Sequence, residues 1–98
     1  MTAHARFNYR GPAAIDGVQF ADVHLHEDPP EGGLRSWEGE TTFPLSDTPE
    51  GFTPALVDTE RVTVRLPDGR EGTALVTDLQ LDGQSWTVIL QGSGPAPH

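Results

Sequence analysis

The stretch "ERVTVRLPDGREGTALVTDLQLDGQSWTVILQG", residues 60–92, decides the fold class. In a β-strand successive side chains point to opposite faces. Val62, Val64 and Leu66 therefore share one face, and Arg61, Thr63 and Arg65 share the other. Pro67-Asp68-Gly69-Arg70 reads as a tight turn, because Pro presets one backbone angle and Gly supplies the angles other residues avoid. The next strand, residues 71–81, sets Leu75, Leu79 and Leu81 on one parity and Ala74 and Val76 on the other. Such a switch predicts burial on both sides or a bulge near Thr77. Asp82-Gly83 is the dipeptide of a type I′ hairpin. The closing strand, "SWTVILQG", aligns Trp86, Val88 and Leu90.

Working outward, the first half repeats this grammar. A strand is expected over residues 5–10, with Phe7 and Tyr9 on one face and Arg6, Asn8 and Arg10 on the other. Gly11-Pro12 bends the chain, and a short strand at 13–15 leads into a second hairpin dipeptide, Asp16-Gly17. The return strand spans 18–27. It sets Ala21, Val23 and Leu25 against Asp22, His24 and His26. "DPPEGG", residues 28–33, ends it. A further strand is expected over 34–43 with Leu34, Trp37 and Phe43, and Gly39 within it predicts a bulge or a sharp coil. Residues 44–58, with Pro44, Pro49 and Pro54, read as a long loop with room for a short helical turn. The tail, residues 93–98, has the composition of a flexible end. No window carries sustained helical spacing free of Gly or Pro.

These elements predict an all-β, small antiparallel barrel of about six to seven strands, SH3-like or split, with a compact β-sandwich as the alternative. The 98 residues suit one domain, 1–98. The 11 Gly and 9 Pro fall at turn positions and not in repeats, which points to many tight turns.

Composition excludes more than it assigns. Fifteen acidic residues stand against six basic ones, a formal charge of −9. Such a surface is repelled by phosphate backbones and anionic lipid, so neither nucleic acid nor membrane is an expected partner. With no cysteine there is no thiolate nucleophile, disulfide framework or Cys-based metal site. No apolar run has the length of a transmembrane span, the N-terminus does not read as a signal peptide, and a cytoplasmic setting is expected. No serine sits in a G-x-S-x-G context, and neither "GG" at 32–33 nor "GSG" at 92–94 opens a phosphate-binding helix.

Two groups of residues are candidate sites. His24 and His26 lie i, i+2 on one strand face, about 6–7 Å apart. Two imidazoles at that spacing suit a divalent metal, and Asp22 on the same face offers an oxygen ligand. Glu27, Asp28 and Glu31 are candidates to orient the rings. The simpler reading makes Asp22, His24 and His26 the solvated side of a one-sided sheet. Trp37 and Phe52 are the candidate partner-binding residues. Trp37 either fills the core or lines a groove. Phe52 either contacts a partner from its loop or plugs one end of the barrel.

From "YRGPAAIDG" at residues 9–17 onward, the chain resembles a small actinobacterial domain of unknown function that occurs alone and behind flavin-dependent monooxygenases. The resemblance rests on Tyr9, Gly11, Pro12 and Ala13, on Trp37 and Gly39, and on Gly92, Gly94 and Pro95. The segment "FPLSDTPEGFTPALVDTE", residues 43–60, departs from it. The resemblance implies a β-rich accessory domain and supplies no catalytic residues. Function is therefore expected to be non-catalytic binding of a protein partner, or self-association, with no cofactor. The alternatives are metal binding through His24 and His26, and an acidic inhibitor that mimics nucleic acid.

Overall fold

The period-2 pattern becomes six antiparallel strands in a computed structural model that describes residues 7–27, 36–58 and 61–98. They are β1 (Asn8–Ile15), β2 (Val18–Glu27), β3 (Trp37–Pro44), β4 (Val62–Arg65), β5 (Glu71–Asp82) and β6 (Ser85–Ser93). Around the barrel their order is β1-β2-β3-β6-β5-β4, and β4 closes on β1. The chain thus forms two three-stranded meanders joined by a connection with two short 3-10 turns, Leu45–Asp47 and Pro54–Asp58. The fold is a closed barrel and not a sandwich. Its lumen is filled by the inward residues of every strand, Ile15, Phe20, Leu25, Trp37, Val64, Val88 and Leu90 among them, all at most 1% exposed.

Several local features differ from the sequence reading, each for a physical reason. β1 runs unbroken through Gly11-Pro12, where a short strand on either side of a bend is expected. The disturbance appears instead as a register shift: Gly11 pairs with Val23 but Ala13 pairs with Phe20. Ala21 and Asp22 together therefore face Pro12, the two-against-one geometry of a β-bulge. The bulge turns Ala21 outward and brings Phe20 in, so Phe20 and not Ala21 joins Val23 and Leu25 in the core. The Asp22 carbonyl accepts the hydroxyl of Thr41 (2.8 Å), which satisfies the one buried polar side chain among the described residues.

The expected bulge in β5 is present. The register shifts between Val76 and Asp78, so Ala74 and Val76 point inward before Thr77 and Leu79 pairs across from the buried Val88 after it. Gly39, read as a bulge or a sharp coil, marks no bulge: it sits in register in β3 and faces inward. A Cβ there would lie 2.6 Å from Leu25 Cδ2 and 3.3 Å from Leu90 Cδ1. The residue permits close packing and not a kink. The hairpin at Asp16-Gly17 has positive φ at both residues (52° and 85°), as a type I′ turn requires. At the other, Asp82 pairs with Ser85, so the turn residues are Gly83 and Gln84; only Gly83 has positive φ, the type II′ pattern.

Candidate functional site: a groove at one end of the barrel

The strand directions bring the start of β1, the end of β2, the start of β3 and the end of β6 to one end of the barrel. Trp37 is the first residue of β3 and points inward from there, 1% exposed. Its indole lies against the backbone of Gly92 on β6. A Cβ at Gly92 would fall among Nε1, Cδ1 and Cε2 of the ring, so only glycine admits the tryptophan. The indole N–H donates to the Gly94 carbonyl (3.2 Å), as a buried tryptophan needs.

That bond begins a series of ties along the tail read as flexible from its composition. Pro97 is buried against Gly72. His98 exchanges both backbone hydrogen bonds with Glu71, N to O at 3.2 Å and O from N at 3.3 Å. The tail thus resumes pairing with β5 after β6 has ended. On the other side Phe7 precedes β1, and its N–H donates to Glu27 Oε1 (3.2 Å). The Arg70 guanidinium stands 5.6 Å above the Phe7 ring. It is aimed by Asp68, whose Oδ2 accepts from Arg70 Nε (2.7 Å) and whose Oδ1 accepts from the Arg70 amide (3.0 Å). The backbone N–H of Arg70 does most to hold the Asp68 carboxyl below its ordinary range, and the guanidinium adds to it. Between these walls lies an open groove of about 740 Å³, lined by Phe7, Trp37, Arg70 and the tail from Gly94 to His98 among others.

Phe52 lies at the opposite end. It belongs to the connection between β3 and β4 and is half-buried, edge-on to Phe20, Phe43 and Trp86 with ring centroids 5.1–6.1 Å apart. With Leu56 it closes that end of the lumen, and the space beside it is only about 180 Å³.

The histidine face is on the outer surface of β1, β2 and β3. The structure brings His24 and His26 together, with ring centroids 5.5 Å apart. Asp22 lines a small pocket with His24 and Glu40, but its carboxylate is taken by Arg10, accepting from Nε and one terminal nitrogen, both at 3.3 Å. The hydrogen bond and then the charge of Asp22 hold Arg10 more firmly protonated. His26 faces Glu38 at 3.6 Å, and Glu40 lies across from His24. Glu27 is engaged by the Phe7 amide; Asp28 and Glu31 lie outside the described residues. Among the described residues no three His, Asp or Glu side chains converge on one point. The double variant His24→Ala/His26→Ala is expected to shift the melting temperature by no more than about 8 °C, since such surface positions contribute about 0.5 kcal/mol or less each. Calorimetry with and without zinc checks this, and a larger zinc-dependent loss would show that the rings hold a metal.

Sequence reasoning offered Trp37 as a groove residue but missed the other walls. Phe7 and Arg70 read as ordinary strand and turn residues, and the tail as a flexible end. The available signal was the pair Trp37 and Gly92, since a lone glycine in a strand marks close approach. No protein-family model, curated protein or solved structure matches the chain. No helix among the described residues is long and apolar enough to cross a membrane.

Proposed function

We propose that this protein is a non-catalytic binding module of the cytoplasm, and that it docks another protein at the groove beside Trp37. The observation that carries this reading is the groove itself. It is open, has aromatic and proline walls, and places a cation that is already oriented at its rim. That mix of an apolar floor with a few fixed polar groups is what polypeptide-binding and ligand-binding clefts share. Its walls come from strand ends and a tied-down tail, so they need little rearrangement to receive a partner.

The nucleic-acid-mimic reading is less well supported. Asp22, Glu38, Asp68 and Glu71 each face a basic side chain of the same chain, so this part of the acidic surface does not present a free row of charge. The metal reading keeps one observation in its favour, the paired rings of His24 and His26.

Photo-crosslinking in the producing cell tests the proposal. A benzoylphenylalanine replacing Asn8, at the groove, is expected to give a discrete crosslinked partner that excess unmodified protein competes away. The same group replacing Gln84, at the opposite end, is expected to give none. Equal products from both positions, or none from Asn8, would overturn the groove as a docking site.

A further inference from the structure

One wall of the groove is a strand edge, and the hydrogen-bond register says what it lacks. Glu27 donates its N–H to the Phe7 carbonyl (2.9 Å). In an antiparallel ladder the residues that exchange bonds alternate. Phe7, Tyr9 and Gly11 therefore aim their backbone groups at β2, and Asn8, Arg10, Pro12 and Ala14 aim theirs the other way. On that side Ala14 pairs with Arg65, and the Asp16 amide reaches the Thr63 carbonyl (2.8 Å). Beyond Arg65 the chain leaves the sheet. Leu66 donates to the Arg70 carbonyl and Gly69 to that of Leu66, which closes a turn. Among the described residues, the β1–β4 ladder covers only Ala14–Arg65 and Ile15–Val64. Pro12 has no N–H, and its carbonyl accepts the Tyr9 hydroxyl (2.5 Å). Among the described residues nothing pairs with the outward donors and acceptors of Asn8 and Arg10; both residues are exposed, and Asn8 lines the groove.

We infer that the groove captures its partner by strand addition: an extended segment of another protein pairs with the outer edge of β1 at Asn8 and Arg10. This rests on the groove being the docking site and adds how it docks. Main-chain pairing supplies affinity in this mode, and pockets for alternate side chains supply selectivity. An added strand sends every second side chain to the same face, which here is the groove between Phe7, Trp37 and the tail. The opposite wall already uses this chemistry, since His98 pairs with Glu71 beyond the end of β6. The formal charge of −9 opposes a second copy of this chain, and the Arg10 and Arg70 cations beside the edge oppose a basic segment, which leaves an uncharged one. Tyr9 and Pro12 limit the site: with the Pro12 carbonyl occupied by the hydroxyl, pairing stops at Arg10.

Amide hydrogen exchange by NMR tests this directly, with decapeptides selected from a random displayed library as the probe. In the free protein the Asn8 and Arg10 amides are expected to exchange at least about 10-fold faster than those of Tyr9 and Gly11, which lie in the ladder. A selected peptide is expected to slow exchange at Asn8 and Arg10 by about 10-fold or more when saturating. Arg10→Pro removes the outward donor, leaves the backbone bonds to β2 and is expected to weaken peptide binding about 10-fold; Arg10→Ala loses the same side-chain pair with Asp22 but keeps the donor, and is expected to bind as the parent does. A library that yields no binder, or a bound peptide that leaves both amides unprotected, would overturn strand addition. So would dimers in light scattering with both amides protected, because the edge would then belong to a second copy. If the Asn8 crosslink persists while the amides stay unprotected, the groove remains the docking site and only the pairing mode fails; loss of the crosslink sinks both.

Discussion

Gly92→Ala is expected to destabilise the protein by about 3 kcal/mol, at the upper end of ordinary overpacking. The new methyl has no room to share. It falls within the indole of Trp37, which is buried on its other faces and held by the Gly94 carbonyl. Either the ring leaves the core, losing its packing and its hydrogen bond, or β6 shifts away from β3 along a seven-residue ladder. In a domain of this size the melting temperature should fall by roughly 12–24 °C. The double variant Trp37→Ala/Gly92→Ala identifies the cause. If the clash with the indole is the mechanism, Gly92→Ala added to Trp37→Ala costs much less than it does alone, and a double-mutant cycle gives a coupling energy of more than 1 kcal/mol. Additive costs would mean that backbone strain at position 92 is responsible.

Phe20→Ala is expected to cost about 4 kcal/mol, within the range for emptying an aromatic core site. Phe20 is 1% exposed and packs on Phe43 (5.7 Å) and Phe52 (6.1 Å). Its loss opens a void at the end of the barrel closed by the β3–β4 connection. Urea unfolding checks the magnitude. Phe52→Ala, at the same cluster but half-buried, is expected to cost visibly less. If the two cost the same, the connection and not the lumen is the main support of that end.

Much of the barrel is legible in the sequence because a half-buried strand must alternate. Val62, Val64 and Leu66 are all buried as their spacing requires, and the parity switch in β5 locates its bulge at Thr77. Bulges that depend on the partner strand are not legible this way. The one at Ala21-Asp22 shows only in the pairing with β1, where Gly11 meets Val23 and Ala13 meets Phe20, so the parity of β2 alone misplaces Ala21. Gly39 shows a second limit. A glycine within a strand marks a bulge or a close neighbour, and only the arrival of Leu25 and Leu90 decides between them. At the candidate sites, local spacing was enough to bring His24 beside His26 but not to foresee Arg10 taking Asp22. The groove needs Trp37, Gly92 and Gly94 together, a contact between distant parts of the chain, and a tail rich in Gly and Pro carries no pattern that announces it.

The layout of two meanders also has a kinetic meaning. Within each half, strands adjacent in sequence pair with one another, so their ladders close short stretches of chain quickly. The joins between halves, β3 with β6 and β1 with β4, bring together residues far apart in sequence. They bear the larger loop-closure entropy, and such non-local pairings set the folding rates of small β proteins. Of the two, β3–β6 has seven registered pairs and β1–β4 has two. The shorter join is held by the fewest ladder bonds, so it is where the finished barrel is expected to loosen first, ahead of global unfolding.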